Sequence, residues 1–344
     1  MTQLTVRATG LPAARGPLSA HVLDVLGGRR CAPPRVSSDD PLDDDDLQLA
    51  LHLCYELHYG GLDGVDDEME WDVDLLAYRR QLERTVEDAL VQLVGPPVPC
   101  DDVRSALPAV IEADGGVSLS SWMLEHGSLA EMTEFVIHRS AYQLKEADPH
   151  TWAVPRLPRA AKSGLVSIQA GEYGVEDPDH VMHSELFAAT MRELGLDDRP
   201  NAHLDALPGS TLATGNLVSY FGLHRRWRGA LVGHLAVFEM TSVEPMGRYA
   251  AALERMGASD AARRFYLVHV LADAVHERVA IDEMAGPLVD DEPALAGDVL
   301  FGARAVLAVE GRFAEHLLDS WAEGRSSLRV PVASHTLDGY RGRE

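Results

Sequence analysis

Three cysteines, Cys31, Cys54 and Cys100, are too few and too widely spaced to staple a chain of 344 residues, and no CxxC pair occurs among them. The odd count fits a reducing cytoplasm better than a disulfide framework. Long apolar runs are missing too. None approaches the roughly 20 residues that a membrane-spanning helix needs. The opening "MTQLTVRATG" lacks the basic-then-apolar order of a secretory signal. Positive charge is scarce: 30 Lys and Arg face 54 Asp and Glu, a formal net charge of −24. Such a balance argues against nucleic acid and against an anionic membrane, because phosphate binding needs cations. Strand-like alternation is nearly absent, and only "GGVSLSSW" (115–122) reads as one short extended piece. With 46% hydrophobic and 24% charged residues the composition is globular. The expected partners are a small molecule, a metal, or a second copy of the chain in a homodimer.

What the sequence does contain is helix after helix. Apolar periodicity predicts helices at about 46–59, 72–94, 128–147, 158–172, 180–194, 212–240, 245–256, 260–285 and 294–322. "SLAE" at 128–131 is a capping box, Gly195 a C-terminal stop, and "GPL" at 286–288 the expected end of the 260–285 helix. The acid-rich "DDPLDDDDLQLALHLCYELHYG" reads as a solvated loop whose last Asp residues cap a helix; it lacks the alternating ligands and glycine of a metal-binding loop. The Pro- and Gly-containing segments 95–102 and 112–118 set off an N-terminal helical extension, residues 1–125, expected to be a cap or a dimer contact without chemistry of its own. Residues 126–329 form the main domain and 330–344 a C-terminal tail.

Polar residues stand where helices should be greasy. In "HVLADAVHE", His269, Asp273 and His276 fall at i, i+4 and i+7, on one face. Each could be satisfied by its own neighbour, but three partners would then be needed in one small space. A metal satisfies all three together, and imidazole with carboxylate suits iron, manganese or zinc. Other helices offer complementary groups. Glu239 follows Ala-Val-Phe in "GALVGHLAVFEM", where Gly229 and Gly233 are placed for close helix contact. Glu172 ends the stripe of Leu165 and Ile168, His183 opens that of Phe187 and Met191, and Glu146 lies in line with Tyr142, Arg139 and Phe135. The four carboxylates balance two divalent cations, and three neutral imidazoles complete the set. Ferritin-like diiron bundles use paired Glu-x-x-His motifs, and none occurs here.

Taken in order, "EADPHTWAVPRL", "GEYGVEDPDHVMHSELFAATMRELGL", "GALVGHLAVFEMTSVEP" and "FYLVHVLADAVHERVAIDEM" resemble the iron-containing redox enzymes of the haem-oxygenase-like diiron oxidase/oxygenase superfamily. The resemblance runs from about Ser128 to Arg329. It implies an all-α, haem-oxygenase-like helical bundle of about seven core helices, holding two Fe(II)/Fe(III) ions with O2 as co-substrate. By position, Glu172 and His183 resemble the first motif's carboxylate and histidine, and Glu239 the carboxylate of the middle helix. His269, Asp273 and His276 match a His-x3-Asp-x2-His motif. Glu146 resembles the extra carboxylate of members that N-oxygenate amines. The interval from Glu172 to His183 is one residue longer than the pattern, with "VEDPD" as the insertion, which leaves Glu176 and His180 as lesser candidates.

The expected activity is therefore that of a non-haem diiron oxygenase in biosynthesis, acting on a small amine or amino-acid-like substrate by N-oxygenation. Oxidative C–C cleavage, desaturation or decarboxylation at the same site is the alternative, and a non-catalytic iron- or ligand-binding helical protein the further one. An external reductant is an expected partner. The four carboxylates argue against a haem oxygenase, which holds haem through one axial histidine. Arg225, Arg226 and Arg228 invite a substrate-anchor reading, but pairing with the chain's many acids is the simpler role for Arg228.

Overall fold

A computed structural model describes residues 10–175 and 177–330. Among the described residues there are helices and connecting loops and no strand. The N-terminal helices are α1 (Pro17–Leu26), α2 (Asp45–Glu56), α3 (Val73–Val94), α4 (Val103–Glu112) and α5 (Leu119–Glu125). The remainder are α6 (Leu129–Gln143), α7 (Asp148–Thr151), α8 (Arg159–Glu172), α9 (His183–Glu193), α10 (Gly209–Leu223), α11 (Arg228–Thr241), α12 (Val243–Arg255), α13 (Asp260–Arg278), α14 (Gly286–Asp291) and α15 (Ala296–Ala322). No helix among the described residues is long and apolar enough to cross a membrane, and all three cysteines are free thiols.

Local chemistry sets many of these boundaries. Ser128 and Glu131 form the expected capping box of α6. Asp44 caps α2 by accepting from the backbone N–H of Asp46 and Leu47. Its neighbour Asp46 is also occupied, by the backbone N–H of Leu18 and Ser19, so these acids serve the fold. Gly195 follows α9 at φ +74°, the left-handed conformation that suits glycine. That helix begins at His183 rather than near His180.

Three further expectations differ. The segment 115–122 is not extended: Ser118 caps α5, whose Leu119 and Met123 are buried one turn apart. The single helix expected over 212–240 is two, α10 and α11. Its periodicity runs straight through the break, but the Arg156 guanidinium draws off the carbonyls of Gly222 and Leu223, and His224 turns to an extended conformation. "GPL" does not end the ligand-bearing helix. That helix widens into a π-helical segment, Val279–Ala285, and runs on into α14, with Pro287 in the first turn of α14.

Helices α11 and α15 lie in near-backbone contact. A Cβ on Gly233 would overlap the Val299 carbonyl oxygen, and one on Gly302 the Ala230 carbonyl. Two apolar clusters result. One joins α1–α4 to α8, α10, α11 and most of α15 around residues such as Leu49, Tyr78, Phe221 and Phe301. The other gathers α5, α6, α9, α12 and the first half of α13 around Phe135, Phe187, Phe265 and Phe313. Helices α1–α4 thus contribute to the larger cluster and α5 to the smaller.

Candidate metal centre

The seven candidate ligands all lie in helices or in the turn that follows one, and all point inward. Glu172 is the last residue of α8 and His183 the first of α9, so one loop brings both to the same place. Glu146 lies in the turn after α6, Glu239 near the end of α11, and His269, Asp273 and His276 on the buried face of α13. All seven are more than nine-tenths buried. Opposite them, α13 exposes Leu271 and Val275 to solvent.

The seven converge. One ligand atom from each of Glu146, Glu172, His183 and His269 lies within 4.8 Å of the others, and the same holds for Glu172, Glu239 and His276. Glu172 belongs to both groups. His183 Nδ1 stands 2.9 Å from Glu172 Oε2 and 3.2 Å from His269 Nε2. His276 Nδ1 lies 3.2 Å from Glu239 Oε2 and 3.6 Å from Asp273 Oδ1.

Neighbouring groups orient this set. His269 Nδ1 donates to the Phe265 carbonyl at 2.9 Å, which leaves the Nε2 lone pair facing the cluster. Ser242 Oγ donates to Asp273 Oδ2 at 2.5 Å. Gly171 makes room for the His276 ring, which a Cβ there would approach to 3.0 Å.

A metal fits the electrostatics and the unpaired atoms alike. Glu146 Oε1, Glu239 Oε2 and His276 Nδ1 are buried without a hydrogen-bond partner; the short Glu239–His276 approach lacks hydrogen-bond alignment. Each such atom costs about 1–3 kcal/mol, and cations in the two ligand groups would engage all three. Burial and the neighbouring carboxylates push Glu146 well above the usual range and Glu239 up to about 8. Burial opposes charge on His276, yet Asp273 and Glu239 outweigh it and raise the imidazole to about 10. Glu172 is the exception: burial raises it, but His183 and the other imidazoles hold it below its usual value.

Glu146, Glu172, Glu239, His269 and Asp273 line a cavity of about 300 Å³, at the lower end of the range for small-molecule sites. Sequence reasoning missed several of its features. Gln169, one turn before Glu172, donates through Nε2 to the Ala147 carbonyl and Thr151 Oγ1, both at 2.6 Å, which fixes its amide and leaves Oε1 buried and unpaired. His150 and His234 form a buried pair at 3.1 Å, and burial pushes His150 down to about 4. The spacing of His150, four residues after Glu146, was the available signal. The N-terminal region also contributes, since residues from Asp114 to Ser120 line the cavity.

Other candidates fall elsewhere. His180 is an exposed loop residue at φ +54°. Glu176 and residues 331–344 lie outside the described residues. Arg228 pairs with Glu292 and Arg226 with Glu87, and none of the three arginines at 225–228 lines the cavity.

A helical bundle with four carboxylates and three imidazoles converging in its interior is a protein suited to hold metal in its core. The chain belongs to the iron-containing redox enzyme family, which it matches over residues 133–311, slightly more than half its length. Membership supports an oxidoreductase role and iron binding, and it agrees with the all-α fold. No curated protein matches the chain.

Proposed function

We propose that the protein is an O2-dependent, non-haem diiron oxygenase that N-oxygenates a small amine or amino-acid-like substrate. One observation carries the two-metal reading: Glu172 belongs to both ligand groups, which is what a carboxylate bridging two ions requires. Glu146, His183 and His269 would hold one iron, and Glu239 and His276 the other, with Asp273 beside the second. Four carboxylates balance two divalent ions, so the loaded site is neutral, as burial demands. Two irons bound here would supply the reduction of O2 and the oxidising equivalents for the substrate.

The chain's own residues do the rest. Gln169 Oε1 is an acceptor with no donor of its own, and an amine N–H beside the ligands supplies one. The neutral His150–His234 pair adds no charge there. Phe238, Leu235 and Val306 keep the intervening wall apolar and exclude water from the site.

Anaerobic reconstitution with Fe(II), followed by metal analysis and O2-uptake measurements with an amine panel, tests this reading. We expect two irons per chain and amine-stimulated O2 consumption. One iron per chain with no O2 uptake overturns it.

A further inference from the structure

We propose that the ion pair Arg139–Glu310, on the cavity wall, grips a zwitterionic head group, so that the substrate is an extended molecule held at its charged end and N-oxygenated at a second nitrogen at the other. The inference rests on the oxygenase reading above and names the recognition end of the same cavity.

The pair is bidentate. Arg139 Nη1 donates to Glu310 Oε1 at 3.1 Å and Nη2 to Oε2 at 2.7 Å. The guanidinium carbon stands 4.3 Å from the centroid of the Phe313 ring and 5.6 Å from that of Phe135. The pair is only partly buried, with side-chain exposures of 16% and 22%, and such a pair contributes little to stability. Setting one among phenylalanines on the wall of a cavity calls for another reason. A guanidinium carries five N–H donors in a fixed fork, and Glu310 engages two of them.

Charge decides which head group suits the pair. A lone carboxylate brings a negative charge against Glu310, and a lone ammonium brings a positive one against Arg139. A zwitterion offers its carboxylate to Arg139 and its ammonium to Glu310, and it leaves the cavity neutral. A second observation points to a ligand at this end. The Tyr266 hydroxyl is buried in the cavity wall without a partner, and both Arg139 and Glu146 act on it electrostatically. It is free to donate to a bound carboxylate.

Arg139 stands four residues before Gln143, the last residue of α6, about 6 Å of helix at 1.5 Å per residue, and Glu146 lies beyond it in the following turn. Tyr142, Leu235, Met246 and Leu307 line the cavity and are chiefly apolar. An unbranched chain of several carbons fits that span.

The test is anaerobic calorimetry on the Fe(II)-loaded protein with three six-carbon probes, L-norleucine, hexanoate and hexylamine. We expect L-norleucine to bind at least tenfold more tightly than either of the others. In Glu310→Gln that preference should collapse and hexanoate should gain affinity, and in Arg139→Gln hexylamine should gain. A merely structural pair would not invert head-group preference in this way. Equal binding of the three probes by the unaltered protein, binding of none of them, or uniform weakening in Glu310→Gln overturns the inference. Should Arg139→Gln fail to fold, the unaltered protein and Glu310→Gln still decide it. Iron is counted in every sample: head-group preference without two irons per chain refutes the diiron reading and leaves this one standing.

Discussion

Glu172 stands in both ligand groups, so its replacement should cost more metal than that of any neighbour. Glu146→Gln or Glu239→Gln should leave one iron per chain after desalting, whereas Glu172→Gln should leave less than one, as read by metal analysis. Protons give a second handle. At pH 7 the metal-free site retains them on His276, raised to about 10, on Glu239, raised to about 8, and on Glu146, raised well above its usual range. Binding a divalent cation at pH 7 in weak buffer should therefore release about two to three protons per chain, and affinity should fall as the medium is acidified. Release of none would mean that the cation binds elsewhere. The seven candidate ligands were legible because a charge inside an apolar helical stripe is conspicuous. Gln169 was not, since a neutral amide in a helix attracts no notice. Arg139 and Glu310 escaped too, because each is ordinary on an amphipathic helix until the two are seen to meet across 171 residues of sequence.

At the scale of elements, close contact between helix backbones depends on the glycines that permit it. Gly233→Ala forces a methyl group into the Val299 carbonyl and should destabilise the protein by about 3 kcal/mol in urea melts. Gly215 is a control on neighbouring α10, where a Cβ would come no closer than 4.0 Å to Tyr142. Gly215→Ala should be neutral or stabilising by up to about 1 kcal/mol, since alanine favours helix. Periodicity and caps revealed most helices to within a few residues, and the spacing of Gly229 and Gly233 announced the tight packing of α11. The break between α10 and α11 was illegible for a physical reason: Arg156, some seventy residues earlier, imposes it through two carbonyls. The π-helical continuation of α13 has no marker in composition, and Gly-Pro, usually a stop, here opens the next helix.

For the molecule as a whole, the metal centre links stability to pH. Glu239 and His276 have folded-state pKa values above the ordinary 4.5 and 6.5. The native metal-free protein therefore binds more protons than the unfolded chain between those limits and about 8 and 10. The stability they confer is complete at low pH and is lost as pH rises through about 8 and then about 10. Melting temperature without metal should thus decline from pH 6 to pH 9, whereas the increment added by Fe(II) or Zn(II) should grow; calorimetric scans at matched ionic strength check both. A metal-free melting temperature that rises over this range would contradict the assignment. At this scale the all-α class and the family could be read from ordered motifs along the chain. The contribution of residues 114–120 to the cavity could not, because nothing local ties that loop to helices so far along the sequence. One consequence concerns substrate size. Glu239 rides on α11 and Glu310 on α15, and the seam between those helices is closed by backbone against backbone at Gly233 and Gly302. On the proposed reading, the interval between Glu239 and Glu310 would be a fixed gauge rather than an adjustable one. On that reading, discrimination between chains one methylene too long or too short would rest in part on the helix pair.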